Sequence, residues 1–188
     1  MDNFKTIETV YQSQKTKILR GLRESDNLPV ILKIRSSLNA VIPEKGLAHE
    51  YEVGKTLKGK HSVKYLCLEQ KDWRSILILQ DDNMSSLYSI INNKRIDLST
   101  FFKFALALTI AIEEIHSQCI IHQNINPANI ITNSFLNEVK LIDFELAKNI
   151  DNEVAHLTQP AILGGNLAYL SPEQTGRINR RGYRTDLY

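Results

Sequence analysis

Residues 120–133, IIHQNINPANIITN, set a histidine, a run of amides and a proline between isoleucine pairs. Each amide side chain offers a donor and an acceptor, so amides in such numbers suit turns or ligand contacts. None of them carries charge or takes a proton at neutral pH. Whether this loop does chemistry therefore depends on what surrounds it. Other reactive groups are sparse. Cys67 and Cys119 sit in apolar stretches without metal-ligand spacing and read as buried, reduced thiols. His49, His61, His116 and His156 show no zinc spacing.

The elements that must position the loop change in texture midway. KTIETVYQ (5–12), TKILRGLR (16–23) and PVILKIR (29–35) read as strands, with a turn at ESDN. EKGLAHEYEVGKTL (44–57) reads as a helix, with Leu47, Tyr51, Val53 and Leu57 loosely at helical spacing. VKYLCLE (63–69) and SILILQ (75–80) flank a turn at KDWR. Together they predict a small antiparallel sheet with one helix packed on it. From residue 98 the pattern turns helical. LSTFFKFALALTIAIEEIHSQ (98–118) is apolar on nearly every side, as expected of a helix at the centre of a domain, with Asp97 or Ser99 as its N-cap. The polar loop, a short strand EVKLIDF (138–144) and an irregular stretch to GGNLAYLSPEQ follow. Two lobes, 1–82 and 83–188, joined near QDDNMSS, make the economical α+β architecture.

At 188 residues the chain is the size of one domain, or of one domain and a fragment. A net charge of +2 gives no argument for nucleic acid or an anionic membrane surface, and RINRRGYR reads as a solvated basic turn. FFKFALALTIAI is interrupted by Lys103 and followed by Glu113 and Glu114, too short and too charged for a membrane span. MDNFKTIETV lacks the basic and apolar regions of a secretory signal, so a cytoplasmic protein is expected.

Four features fall in a fixed order. Lys33 ends the strand motif VILK, Glu50 lies on the next helix in HEYEV, Asn129 sits in the polar loop, and Asp143 and Phe144 follow a short strand in LIDFE. In this order, with these intervening elements, they resemble the protein-kinase signature set. GGNLAYLSPEQTGRINRRGYRTDLY resembles the end of a kinase activation segment, with Ser171, Pro172 and Glu173 in the place of Ala-Pro-Glu. This wording is similar to the serine/threonine-kinase-like domain at the N-terminus of large bacterial sensor kinases. The resemblance runs from about Phe4 to Tyr188. It implies a bilobal kinase-like fold: an N-terminal antiparallel sheet with one helix, then a mainly helical C-lobe. TDLY falls where the central helix of that lobe begins, so an incomplete C-lobe is expected, its remainder to be supplied by another chain.

The resemblance also implies roles. Lys33 would hold the α- and β-phosphates of ATP, with Glu50 fixing it through an ion pair. Asn129 and Asp143 would supply oxygen ligands to Mg²⁺, a hard cation suited to amide and carboxylate oxygens. Leu79 falls at the gatekeeper position, and Gln80 and Asp81 would offer backbone groups to adenine. Ile31 replaces the small residue that lies against the adenine face.

Departures from the pattern are concentrated where chemistry occurs. Tyr11, Ser13 and Thr16 stand where the phosphate-covering loop needs glycines. Where kinases read His-Arg-Asp-x-x-x-x-Asn, this chain has His122, Gln123, Asn124 and then Asn129. The general base thus becomes the amide of Asn124, and losing a general base typically costs ~10²–10⁴ in rate. Asn126 replaces the basic residue that contacts the γ-phosphate, and Gln123 the arginine that reads a phosphorylated activation loop. Glu145 replaces the glycine of Asp-Phe-Gly, setting a like charge beside Asp143. Asn166 replaces the threonine that follows Gly165. His122 is expected to pack under the loop.

Three functions follow as expectations. The first is a pseudokinase that binds Mg·ATP weakly and acts on a signalling partner. The second is a slow serine/threonine kinase with protein substrates, and the third an inactive remnant of a larger signalling protein.

Overall fold

The computed structural model describes residues 3–36, 45–71, 73–92, 95–150, 167–175 and 182–188. The chain divides into two compact units, Met1–Thr56 with Val63–Asn83 and Leu57–Ser62 with Met84–Tyr188.

The first unit is an antiparallel sheet with one helix. Its strands are β1 (Phe4–Gln12), β2 (Thr16–Arg23), β3 (Leu28–Ser36), β4 (Tyr65–Lys71) and β5 (Arg74–Gln80), in the order β1-β2-β3-β5-β4. The alternating pattern of β3 is realised literally. Val30, Leu32 and Ile34 bury on one face, with Leu19, Ile76 and Ile78 from neighbouring strands, while Ile31 and Lys33 face the other way. The β2–β3 turn is set by side chains. Asn27 takes the left-handed conformation at φ 55°, and Asp26 accepts from the Leu28 amide and from the Arg23 guanidinium.

The helix α1 (Lys45–Gly54) buries Leu47, Glu50 and Gly54, a stripe at i, i+3 and i+7. This corrects the expected apolar stripe. Tyr51 and Val53 are only half-buried, and Leu57 lies past the end of the helix. The buried face carries a carboxylate, and a count of apolar residues assigns carboxylates to solvent.

Residues 57–62 belong with the second unit, pinned by polar contacts. Gln118 exchanges hydrogen bonds with the backbone of Lys58 at 2.7 and 2.8 Å, and Glu114 accepts from the His61 amide at 2.9 Å. Gly59, at φ +115°, lies so close to Glu114 that a Cβ would occupy the carboxylate's place. The His61 carbonyl accepts from the Leu141 amide, and its Nδ1–H donates to the Val139 carbonyl.

The remaining elements of the second unit are β6 (Ser85–Ser86), α2 (Leu87–Ile91), α3 (Leu98–His116), β7 (Ile120–Ile121), β8 (Ile130–Thr132), β9 (Val139–Leu141) and β10 (Lys148–Asn149). They form two small sheets, β6-β8-β9 and β10-β7. The expected strand at 138–144 is thus shorter, because Asp143 turns left-handed at φ 68° and Phe144–Leu146 coil into a 3-10 turn. Asp97 caps α3, accepting from the Thr100 amide at 3.0 Å and its hydroxyl at 2.6 Å. The helix packs through Phe104, Ala111, Ile112 and Ile115. Among the described residues it is not enclosed as expected, since Leu98, Phe101, Phe102, Leu106 and Ile110 are exposed. Both cysteines are likewise only half-buried. No helix among the described residues is long and apolar enough to cross a membrane.

Gly54 closes α1 against Tyr65, and a Cβ there would fall inside the Tyr65 ring. Gly54→Ala therefore overpacks the helix–sheet contact and is expected to cost roughly 1–3 kcal/mol. Urea denaturation measures it, and an unchanged midpoint would show that the ring moves aside freely.

Candidate functional site

The candidate residues fall into two groups, one in each unit. Lys33, Glu50, Ile31, Leu79, Gln80 and Asp81 lie in the first; Asn124, Asn129 and Asp143 lie in the second.

In the first unit, Lys33 Nζ meets Glu50 Oε2 at 2.7 Å, and Glu50 is essentially inaccessible to solvent. The Tyr65 hydroxyl donates to Glu50 Oε1 at 3.2 Å, so both carboxylate oxygens are engaged. Burial makes the pair interdependent, because removing either charge strands the other in a low-dielectric interior. Glu52, the alternative by position, is exposed and pairs with Lys55. Ile31 and Leu79 are register partners across β3 and β5. The Gln80 and Asp81 amides already donate to the carbonyls of Lys64 and Pro29, at 2.9 and 3.0 Å. They are therefore not free donors for a base. Asp81 also binds Arg20 at 2.5 Å through its carboxylate, and Arg20 reaches Glu8 at 2.7 Å.

Three backbone donors of the β1–β2 turn are taken up within it. Ser13 N donates to the Thr16 carbonyl at 2.8 Å, and Ser13 Oγ accepts from the amides of Lys15 and Thr16. In a glycine-rich loop such N–H groups face phosphates; here they are consumed within the turn.

In the second unit the polar loop is held through its backbone. Asp186, with no exposed side-chain surface, accepts from the amides of His122 and Gln123, both at 2.7 Å, and meets His116 Nε2 at 2.9 Å. Gln174 donates to the Gln123 carbonyl at 2.7 Å, while its own oxygen accepts from the amide and hydroxyl of Ser171. Thr185 donates to Glu173 at 2.8 Å. Sequence reasoning named Ser171 and Glu173 but missed Asp186 and Gln174. The available signal was a lone carboxylate in the apolar and neutral setting of TDLY.

His122 is fully buried beneath the loop, its ring 4.6 Å from that of Phe144. Nε2 faces the Ile142 carbonyl at 3.0 Å and must carry the proton, and Nδ1 accepts from the Asn124 amide. Burial pushes its pKa below 6.5, so the ring is neutral.

The three loop amides orient one another. Asn126 Oδ1 accepts from the Ala128 amide, and its Nδ2 donates to the carbonyl and the side-chain oxygen of Asn124. Asn124 Nδ2 in turn donates to Asp143 Oδ2 at 3.3 Å. Asn129 Nδ2 donates to the Asn124 carbonyl at 2.9 Å, which turns Asn129 Oδ1 away from that contact. An amide oxygen and a carboxylate are oxygen donors of the kind Mg²⁺ takes, so the chemistry of Asn129 and Asp143 fits the ion. Asn166 lies outside the described residues, as does most of the basic run 177–184.

Comparison with known proteins agrees with this geometry. The model of the protein kinase domain matches residues 4–188. A probable serine/threonine-protein kinase PknB of Lactococcus lactis subsp. lactis is 27% identical over 189 positions, covering 95% of this chain and 27% of that protein. The corresponding protein of Corynebacterium glutamicum is 28% identical over 140 positions, 73% of this chain and 20% of its own length. Serine/threonine-protein kinase PknB of Mycobacterium tuberculosis is 41% identical over 73 positions, 39% of this chain and 11% of its own. The chain spans 27% or less of the length of these relatives. It belongs to the protein kinase domain family and is serine/threonine-kinase-like.

Two outcomes follow. Asp186→Ala leaves two buried N–H groups without an acceptor, at ~1–3 kcal/mol each, and lowers the denaturation midpoint; Asp186→Asn, which keeps one oxygen, lowers it less. His122 gives a pH dependence. Its folded pKa lies below the unfolded value near 6.5, so the unfolded chain takes the proton first. This stability is complete above 6.5 and erodes as pH falls. Denaturation midpoints measured from pH 7 to 5.5 should decline less in His122→Gln.

Proposed function

We propose that this chain is a catalytically impaired kinase-like module that takes Mg·ATP weakly and serves signalling by binding a protein partner. The observation that carries the reading is Asn124. An amide stands in the place of the general base, its oxygen facing Asn126 and its N–H₂ facing Asp143, so it has no means of accepting a hydroxyl proton. Residues 1–56 and 63–83 serve as the N-lobe, and 57–62 with 84–188 belong to the C-lobe. Lys33, oriented by Glu50, meets the α- and β-phosphates, and Asn129 and Asp143 ligate the metal. Ile31 and Leu79 line the adenine side, with Gln80 and Asp81 contributing carbonyl oxygens. Bound Mg²⁺ supplies charge neutralisation on the phosphates. Weak affinity follows from the self-satisfied turn at Ser13–Thr16 and from the bulk of Ile31. Similarity to bacterial serine/threonine-protein kinases supports a regulatory role, which we place in the cytoplasm.

A second reading, a slow serine/threonine kinase, draws support from the buried Lys33–Glu50 pair. Phosphoryl transfer passes through a loose transition state, so positioning and charge neutralisation carry most of the catalysis.

Melting curves and a phosphotransfer assay on a generic basic protein distinguish the two readings. Mg·ATP should raise the wild-type midpoint by mass action, and Lys33→Ala and Asp143→Ala should abolish the rise. Wild-type transfer should sit near background and increase in Asn124→Asp. A substantial wild-type rate, unchanged in that variant, establishes the slow kinase; a midpoint indifferent to Mg·ATP removes the nucleotide from the reading.

A further inference from the structure

We infer that Asn124 acts as a built-in substitute for a cation: its amide N–H₂ holds Oδ2 of the Asp143 carboxylate, so the second unit orients that carboxylate without metal and a divalent ion that takes Oδ2 must displace the amide. The inference rests on the reading of Asp143 and Asn129 as cation ligands.

The amide network forces the orientation. Asn126 is fixed first, since its oxygen must face the Ala128 amide and its nitrogen must face the Asn124 carbonyl. That same nitrogen lies 3.2 Å from the Asn124 side-chain oxygen. The other edge of the Asn124 amide is therefore the N–H₂, and it points at Asp143 Oδ2, 3.3 Å away. Donor meets acceptor at every contact in the chain Ala128, Asn126, Asn124, Asp143.

A carboxylate at position 124 would reverse the last contact. Two carboxylate oxygens would face each other at that separation, a situation that demands a shared proton or an intervening cation. It would also gain the Asn126 N–H₂ as a donor, so the variant has a partner on one side and a repulsion on the other. With asparagine present that added repulsion is absent, leaving the Glu145 carboxylate, within 4.8 Å of that of Asp143, as the like charge beside it, and the site carries one negative charge fewer to attract a cation. Both effects lower divalent affinity. Asn129 is unaffected, because its amide is tied to the Asn124 backbone carbonyl and not to the side chain.

The test uses the full chain without nucleotide, and Mn²⁺ as the probe. Wild type, Asn124→Asp, Asn124→Ala and Asn124→Asp/Asp143→Asn are melted in EDTA and in millimolar Mn²⁺, and Mn²⁺ affinity is measured by titration calorimetry. The wild-type midpoint should be the same in both buffers. Asn124→Asp should melt lower in EDTA, recover in Mn²⁺ and bind Mn²⁺ at least about tenfold more tightly than wild type. Asn124→Ala, which loses the amide without adding charge, should melt lower in both buffers alike. The double variant should lose the Mn²⁺ response, since its carboxylate pair is gone. A wild-type Mn²⁺ affinity within twofold of Asn124→Asp overturns the inference, as does an Asn124→Asp midpoint that EDTA leaves at the wild-type value. A Mn²⁺ response that survives in the double variant overturns the assignment of Asp143. Because no nucleotide is present, failure of the Mg·ATP melting assay leaves this result standing, and the two readings fail separately.

Discussion

The Asp186 carboxylate is the constraint on which the polar loop depends. Gln123 takes a left-handed backbone conformation at φ 63°, and β7 ends after two residues, so the amides of His122 and Gln123 leave the sheet ladder. Buried N–H groups need acceptors, and a carboxylate with an oxygen for each is a strong one. His116 shares Oδ2, and the Tyr183 ring packs 4.7 Å from it. Because the loop is gripped by its backbone, its shape is largely independent of the side chains it displays. That independence explains how a catalytic-loop geometry coexists with amides at positions 123, 124 and 126. The scaffold and the chemistry are held by different atoms.

The first unit shows the same separation in reverse. Its charged pair, Lys33 and Glu50, is retained and buried, with Tyr65 completing the carboxylate's hydrogen bonds. The backbone amides beside it are paired within the unit. The N–H groups of the β1–β2 turn are bound by Ser13 and Thr16, and those of Gln80 and Asp81 by neighbouring carbonyls. One unit thus holds a neutral loop through its backbone; the other holds a buried ion pair beside backbone amides that are already paired.

Much of this was legible in the sequence, since period-two alternation located the five strands of the first sheet and Asp97 marked the start of α3. Lys33 and Glu50 were legible as a pair because their order and elements are distinctive. The failures share a physical cause. The buried stripe of α1 was misread because its central member is a carboxylate neutralised by a partner seventeen positions away. Residues 57–62 were read as part of the first lobe, yet their anchors, Glu114 and Gln118, lie far along the chain. Asp186 escaped notice because a buried acid resembles a surface acid until its donors, over sixty residues distant, are brought to it. Local pattern reports periodicity and turn chemistry; it does not report who satisfies a buried polar group.

The loop substitutions form a coherent set. In the kinase pattern an arginine, an aspartate and a basic residue bring three charges into a confined space, each stabilised by an ion, a phosphate or one another. Gln123 and Asn126 are buried here, and an unpartnered cation at either position would be costly. At position 126 an amide removes that cost, because it turns its oxygen to the Ala128 amide and its nitrogen to Asn124 without any counter-ion. The chain Ala128, Asn126, Asn124, Asp143 satisfies this at each contact. A single reversion restores one charge to a network that has lost the others, so activity regained at position 124 alone is limited by the neutral residue at 126. The loop is neutral as a set, and its chemistry would return in full only as a set.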